Sequence, residues 1–286
     1  MFTATRRNFL SQATALAAAS VASSASAASA GAAAADAPAS PVRLGVASYS
    51  LRKFDRARVI EFMKVLRAPL INLKDMHLPW TPPEETRRAA AEFRDAGLTI
   101  TGAGVIGFDK DDDEDMRKKF EYVKTAGIPL IIGMPSAAVL PRLEKFVKEY
   151  NIKVAIHNHG PEDKNFPSPF DVLKAIKNLD PRIGLCVDCG HAVRAGADVP
   201  AAIKAAGPRA LDMHIKDLTD FGSDNSGCPV GDGKMPIPAI FKALIEIGFK
   251  GQVMLEYEID ETNPLPGMVK SFAYMRGVLA GMGYKG

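Results

Sequence analysis

The sequence predicts an α/β fold, a single-domain (β/α)8 TIM barrel, behind a leader of residues 1–40. Short apolar runs alternate with amphipathic stretches through the rest of the chain. The apolar runs show little internal alternation, which is typical of strands buried on both faces of a parallel sheet. Residues 41–286 also have the usual size of one such barrel, about 250 residues.

Eight strands are predicted from runs rich in Val, Ile and Leu. In chain order they are Arg43–Tyr49, Leu70–Lys74, Leu98–Val105, Leu130–Gly133, Lys153–His159, Ile183–Cys189, Ala210–Lys216 and Gln252–Glu258. Eight βα units in a domain of this length favour a closed barrel over an open, doubly wound sheet. No Gly-x-Gly-x-x-Gly follows the first strand, which weakens a dinucleotide-binding alternative.

A helix is predicted after each strand. The stretch Pro82–Ala96 opens with prolines and acidic residues and stops at Gly97, and Asp112–Ala126 stops at Gly127 in the same way. These are the start and stop signals of helices. The other predicted helices are Asp55–Leu66, Val139–Tyr150, Pro169–Leu179, Val199–Ala206, Pro238–Ile247 and Gly267–Leu279.

The leader resembles a twin-arginine export signal. Arg6 and Arg7 stand before Asn8-Phe9-Leu10, an Ala-rich run follows, and Ala-x-Ala sites lie at 25–27 and 28–30. The run is shorter than the about 20 apolar residues that span a bilayer. Because the three features come in the order of a signal peptide, we prefer export to a disordered leader with a chance arginine pair. We expect a periplasmic protein, free of the membrane once the signal is cleaved.

Charge and cysteines exclude two further classes of protein. Without Arg6 and Arg7 the chain carries 34 Lys and Arg against 33 Asp and Glu, which argues against an electrostatic nucleic-acid binder. The three cysteines are an odd number and do not form a full disulfide framework. Cys186 and Cys189 lie three apart in a predicted strand and point to opposite faces, so no disulfide is expected between them.

The histidines mark a candidate active site. Each lies at or just beyond the carboxyl end of a predicted strand, and together they are His77, His157, His159, His191 and His214. Chance is a poor explanation for the placement of all five histidines at strand ends. In a TIM barrel this end of the strands carries the active site, so we expect the histidines to surround it.

The ends of the last four strands carry residues that bind metals. They read His157-Asn158-His159, Asp188-Cys189-Gly190-His191, His214-Ile215-Lys216-Asp217 and Glu256-Tyr257-Glu258. Imidazole and carboxylate suit Mn, Zn, Co or Fe better than calcium. One ligand from each strand would hold one divalent ion and leave positions open for vicinal oxygens of a substrate.

These segments resemble the sugar phosphate isomerase/epimerase superfamily, which has a xylose isomerase-like TIM barrel. The resemblance covers essentially all of residues 41–286, and its specific parts are Asp-x-Gly-His, His-x-Lys-Asp and the glutamate after the last strand. It implies that Asp188, His214 and Glu256 are metal ligands and that His191 contacts the substrate. Glu256 is preferred to Glu258 because the family ligand directly follows the apolar strand core.

The fifth strand departs from the family pattern. Many relatives have Glu-Asn-His there, and the glutamate binds the metal and can act as a base. Here the position is His157, which we expect to be the fourth ligand, while His159 on the same side contacts the substrate. A neutral imidazole cannot replace a carboxylate base, so an epimerase mechanism with two carboxylates is in doubt.

Glu256 is also a candidate catalytic residue, but as a base it serves only one face of the substrate, and two lysines are candidates for the missing base. Lys74 ends the second strand, and a neighbouring divalent cation would favour its neutral, proton-accepting form. The alternative is a solvated loop lysine. Lys216, on the same side as His214, is the second candidate. His77 and Arg194 are expected to bind substrate, although Arg194 could instead cap a helix.

Such a site supports proton abstraction next to a carbonyl, with a metal stabilising the enediolate. The superfamily favours a sugar isomerase or epimerase. The alternative is a 3-keto-glycoside lyase or hydratase acting by β-elimination, because exported relatives of that kind share Lys-Asp-x-His and His-Asn-His-Gly. The outer compartment is poor in sugar phosphates, so an unphosphorylated sugar or keto-glycoside is expected.

Two other functions fit less well. A DNA-repair enzyme like endonuclease IV needs more His and acidic ligands than are present, and a non-catalytic sugar-binding protein would not need the ligand set. The sequence leaves open the metal, the sugar and the oligomeric state, a homo-oligomer included.

Replacing Arg6 and Arg7 together by lysine is expected to leave the protein in the cytoplasm with its leader attached. Cell fractionation and the mass of the chain measure this. The matched control is the same double change at Arg87 and Arg88, an arginine pair in a predicted helix. Normal export of the Arg6→Lys/Arg7→Lys variant would show that the twin-arginine interpretation is wrong.

Overall fold

A computed structural model describes residues 37–285. Residues 41–275 form one compact unit, and the described residues at the two ends of the chain, 37–40 and 276–285, are grouped in a second unit. In the second unit, Ala39 pairs with Lys285 in an isolated parallel bridge. The predicted signal, with Arg6 and Arg7, lies outside the described residues.

Eight parallel strands close into a barrel, which confirms the predicted TIM-barrel fold. They are β1 Leu44–Ala47, β2 Leu70–Leu73, β3 Thr99–Phe108, β4 Leu130–Pro135, β5 Lys153–His157, β6 Ile183–Asp188, β7 Ala210–Ile215 and β10 Val253–Leu255. Around the barrel, β5, β6, β7 and β10 are consecutive neighbours, and β10 closes against β1. Two short strands, β8 Asp217–Leu218 and β9 Gly227–Cys228, pair antiparallel beyond the end of β7.

Helices surround the barrel in the predicted positions, with ends that differ by a few residues. They are α1 Arg56–Leu66, α2 Pro83–Asp95, α3 Asp113–Thr125, α4 Leu140–Tyr150, α5 Pro169–Ile176, α6 Cys189–Arg194, α7 Val199–Ala206, α8 Ile237–Glu246 and α9 Leu265–Gly281. The short α6 was not predicted. Within residues 37–285, no helix combines the length and the apolar character needed to cross a bilayer.

Local capping explains where several helices begin. The carboxylate of Asp55 accepts a hydrogen bond from the backbone N–H of Arg58, and Asp112 does the same at α3. Ser168 and Asp171 form a reciprocal capping box at α5. Such caps use backbone N–H groups that have no partner within the helix.

The strands are buried because helices cover them on the outside and side chains fill the barrel inside. Every residue of β6 is buried, and Ile71, Ile132 and Val154 of other strands are fully buried. Burial on both faces explains the continuous apolar runs of the sequence. It also makes the polar side chains at the strand ends conspicuous.

One buried carboxylate fixes the long segment between β7 and α8. Asp217 accepts hydrogen bonds from the backbone N–H groups of Leu218 (2.9 Å), Gly231 (2.9 Å), Gly233 (3.1 Å) and Met235 (3.0 Å). A side chain at Gly233 would collide with this carboxylate. The aspartate of His-x-Lys-Asp is therefore a structural anchor beyond the carboxyl end of β7.

Asp217→Ala is expected to lower the free energy of unfolding by about 3 kcal/mol, because a buried donor left without a partner costs about 1–3 kcal/mol. Urea denaturation measures the change. The control is Asp224→Ala, an exposed aspartate of the same segment, which should change the free energy little. Equal, small effects of both substitutions would contradict the anchoring role.

Candidate metal centre

Four buried side chains of the types that bind metals meet at the carboxyl ends of neighbouring strands. Their ligand atoms lie within 4.8 Å of one another, and the residues are His157, Asp188, His214 and Glu256. We call these four the candidate centre. Because β5, β6, β7 and β10 are adjacent, each strand contributes one member, as the sequence predicted.

Asp188 is held in a fixed orientation by its surroundings. Its Oδ1 accepts a hydrogen bond from the backbone N–H of His191 at 2.8 Å, at the start of α6. Its backbone N–H and C=O both pair with the side-chain amide of Asn158, each at 3.0 Å. Only Oδ2 is left to face the candidate centre. No role was predicted for Asn158 from the sequence. The one feature that could have indicated a role is its position between two histidines at the end of a strand.

Several atoms of the candidate centre lack a hydrogen bond in a way that fits a metal site. Among the described residues, Asp188 Oδ2 and both ring nitrogens of His157 and of His214 are buried without a well-directed hydrogen bond. Asp188 Oδ2 lies 3.4 Å from His157 Nε2, and Glu256 Oε2 lies 3.2 Å from His214 Nδ1. Buried polar atoms are rarely left unpaired, and imidazole nitrogens with carboxylate oxygens are the donors that zinc and similar ions use.

The protonation state of His157 also suits a ligand. Burial lowers the pKa of His157, and the nearby His214 adds to this effect, which outweighs the carboxylate of Asp188. His157 is therefore neutral at neutral pH, which is the form of imidazole that binds metals.

The ammonium of Lys216 lies among the carboxylates. Its Nζ is 3.1 Å from Asp188 Oδ2 and 2.9 Å from Glu256 Oε2. It is also 2.7 Å from Glu258 Oε2, while the lysine side chain is only 11% exposed. Burial alone would lower the pKa of Lys216, but the three carboxylates outweigh it and hold this pKa above its ordinary value. Lys216 is thus a cation here, whereas the base proposed from the sequence would have to be neutral.

Lysine and carboxylates stabilise each other's charged forms. Burial alone would raise the pKa of Asp188 and of Glu256. The Lys216 ammonium and the neighbouring histidines together outweigh burial and hold both pKa values below their ordinary range. Both carboxyl groups are therefore ionised, as metal ligands must be.

A cavity of about 340 Å³ opens above the candidate centre. Its lining includes His157 and Glu256 together with Lys74, His159 and His191. The Nζ of Lys74 donates a hydrogen bond to the carbonyl of Val105 at 2.6 Å. The structure therefore places Lys74, His159 and His191 around one space, on the same side as the candidate centre.

His191 and Arg194 border a second cavity of about 400 Å³ that also reaches Glu256. Arg194 Nη1 lies 3.4 Å from His191 Nδ1, and its Nη2 pairs with Glu162. Burial lowers the pKa of His191 to about 4, and the nearby Lys216 adds to this. His191 is therefore neutral at neutral pH and can donate one hydrogen bond and accept another.

His77 lies apart from both cavities. It is buried, its Nδ1 lies 3.0 Å from Ser48 Oγ, and its Nε2 lies 3.1 Å from the carbonyl of Phe54. Both ring nitrogens thus have partners inside the protein. The substrate contact expected from the sequence stays a prediction, and it would require these partners to be exchanged.

A second polar layer lies beneath the candidate centre, and the sequence analysis did not find it. Asp212 is fully buried and accepts a hydrogen bond from Asn72 Nδ2 at 2.6 Å, and Thr101 donates to Asn72 Oδ1 at 2.7 Å. Burial raises the pKa of Asp212 to about 7. Ligand-type atoms of Cys186 and Asp212 lie within 4.8 Å of His214, so this layer can orient the ring from below.

Comparison with protein families gives a match over most of the chain. The family model described as a xylose isomerase-like TIM barrel matches residues 61–278. The chain is 31% identical over 135 residues to the inosose dehydratase of Lactiplantibacillus plantarum, covering 41% of this chain and 44% of that protein. It is 26% identical over 251 residues to the inosose dehydratase of Clostridium perfringens, covering 75% and 80%. The chain spans about half the length of several of these curated relatives.

Solved structures share the fold at lower identity. One is the IOLI protein with a binding zinc atom, with a TM-score of 0.71 and 18% identity over 84% of this chain and 99% of that one. Another is an L-ribulose 3-epimerase, with a TM-score of 0.70 and 17% identity over 84% and 95%. At these identities the likeness concerns the fold alone.

Glu256→Gln is expected to reduce metal binding by more than the about 10–100-fold that changes behind the ligands usually cost. The matched control is Glu258→Gln, two residues on, which should weaken metal binding far less than Glu256→Gln, because Glu258 is 46% exposed and outside the candidate centre. Metal content after dialysis and calorimetric titration measure the difference. If Glu258→Gln lost more metal than Glu256→Gln, the ligand would be Glu258 instead.

Proposed function

Since the chain belongs to the xylose isomerase-like TIM barrel family, we propose that it is a divalent-metal-dependent enzyme that acts on a carbohydrate. Its first step is removal of a proton next to a carbonyl. The observation that carries this proposal is the candidate centre, whose buried ligand atoms converge beneath a cavity lined by Lys74 and His191 and include four histidine nitrogens without a hydrogen bond.

The proposed cofactor is one divalent ion held by His157, Asp188, His214 and Glu256. When bound, it would supply positive charge that stabilises an enediolate. Mn, Zn, Co and Fe all suit these ligands, and the zinc atom of the IOLI protein makes zinc the first ion to test.

The residues around the cavity divide the remaining tasks. Lys74 is the proposed base, because it lines the cavity and is not paired with the carboxylates that hold Lys216 protonated. His159, His191 and Arg194 are proposed to bind the hydroxyl groups of the sugar. His191 can do this as a neutral ring, and Arg194 keeps it in place.

Return of the proton to the substrate makes the enzyme an isomerase or an epimerase. The proton returns to another carbon in the first case and to the other face of the same carbon in the second. Lys74 and the neutral His191 line the same cavity, so two groups are available for removing and returning the proton.

A second outcome is elimination, which makes the enzyme a dehydratase or a lyase on a keto-sugar or 3-keto-glycoside. It is favoured by the curated relatives, which carry the name inosose dehydratase. It is also favoured by His157, because elimination needs a base on one face and an acid for the leaving group rather than two carboxylate bases. His191 and His159 are candidates for that acid.

We also propose that the protein works in the periplasm on an unphosphorylated substrate, with the metal bound before export. This rests on the leader and its twin-arginine motif alone.

The reaction is tested in D2O with a panel of keto-sugars, an inosose and 3-keto-glycosides. An isomerase or epimerase gives a product of the same composition with one carbon-bound deuterium, whereas elimination gives a product lighter by water or by the aglycone. Mass spectrometry and NMR separate the two. No exchange and no product with the metal-loaded protein on any of these compounds would contradict the proposed function.

Lys74→Met is expected to reduce turnover by at least about 100-fold while metal content stays intact, since a general base contributes about 10²–10⁴-fold. The control is Lys110→Met, an exposed lysine after β3, which should keep full turnover. Near-normal turnover of Lys74→Met would move the search for the base to Glu256, Glu258 and the histidines.

A further inference from the structure

The ammonium of Lys216 contacts the same oxygen atoms that the candidate centre offers to a metal. It lies beside Asp188 Oδ2, the atom that faces His157. It also lies beside Glu256 Oε2, the atom that faces His214. A solvent-exposed lysine at the edge of the cavity would not reach these two oxygens.

The neighbourhood of Lys216 is built to let its side chain reach this position. The thiol of Cys189 contacts both the backbone N–H and the backbone C=O of Lys216, each at 3.3 Å, which fixes where the side chain starts. The next residue, Gly190, has no side chain, and a Cβ there would lie 2.6 Å from Cγ and Cδ of the lysine. Cys189 and Gly190 of Asp-Cys-Gly-His therefore position the side chain of Lys216, which follows β7.

Charge explains why a cation belongs there. Asp188 and Glu256 are buried carboxylates that converge on one point. Without a cation between them they would repel each other at low dielectric, where an uncompensated charge is very costly. Lys216 places a positive charge beside both carboxylates.

A third carboxylate gives the lysine a second place to bind. Glu258 already pairs with Lys216 at 2.7 Å, and it is 46% exposed and not a member of the candidate centre. Lys216 and Glu258 also line the 400 Å³ cavity, together with Arg52 and Arg194. The ammonium can therefore leave Asp188 and Glu256 and stay paired with Glu258.

We propose that Lys216 is an internal cation of the metal-free candidate centre, which an incoming divalent ion displaces onto Glu258. This rests on the proposed metal centre. The displaced lysine then faces the second cavity, where it binds an oxygen atom of the substrate. Lys216 thus couples metal loading to the completion of the substrate site and is a substrate-binding residue in this proposal rather than the base.

The test is a double-mutant cycle on metal binding, with zinc alone as the probe and no substrate. Lys216→Met should bind zinc about tenfold more tightly than the unchanged chain, because the ion displaces no cation. The same variant should melt at a lower temperature than the unchanged chain when metal-free, and the difference should shrink with zinc bound. The control, Lys234→Met, changes an exposed lysine and should alter neither quantity.

Glu258→Gln separates displacement from simple charge repulsion. If Lys216 moves onto Glu258, removing this partner should weaken zinc binding several-fold in the chain that keeps Lys216, and hardly at all when Lys216 is already methionine. Equal weakening in both backgrounds, or no tightening by Lys216→Met, would overturn the proposal while leaving the metal centre intact. Absence of zinc binding by the unchanged chain would overturn the centre itself, and proton exchange in D2O would still report on the function separately.

Discussion

The catalytic end of the barrel depends on compensating the negative charge of two buried carboxylates. Asp188 and Glu256 lie at the ends of β6 and β10, where the barrel brings their oxygens together with two unpaired histidines. Buried ionised groups are stable only when they are paired or bind a metal. Here Lys216 supplies positive charge within the protein, and in the proposed metal-bound state a divalent ion supplies it instead.

This constraint gives a physical role to nearly every residue of two short motifs. In Asp-Cys-Gly-His, Asp188 points one oxygen into the centre while the other caps α6, Cys189 holds the backbone of Lys216, and Gly190 makes room for its side chain. In His-x-Lys-Asp, the aspartate ties down the segment beyond β7 through four backbone N–H groups. Scaffold, charge compensation and substrate cavity are thus built from the same few positions.

The barrel could be predicted because its signals are local. Apolar runs, prolines, capping residues and glycines lie next to the elements that they define, so strand and helix ends differ from the prediction by only a few residues. The members of the candidate centre could be predicted too, because carboxyl ends of neighbouring barrel strands converge.

Contacts between residues far apart in the sequence could not be predicted. Nothing near Asn158 in the sequence shows that it holds the backbone of Asp188, and nothing near Asp212 shows that it lies beneath His214. The partners of the two ring nitrogens of His77, Ser48 and Phe54, are likewise not indicated by the sequence around them. Lys216 was placed on the correct side, but its charge state depends on three carboxylates from other segments.

The most direct measurement is a crystal structure of the zinc-loaded protein with anomalous data collected at the zinc edge. We expect one ion bonded at about 2.0–2.2 Å to side-chain atoms of His157, Asp188, His214 and Glu256. We also expect the ammonium of Lys216 away from Asp188 and paired with Glu258. An ion bound elsewhere would contradict the proposed centre. A Lys216 ammonium that still lies between Asp188 and Glu256 would contradict the proposed displacement.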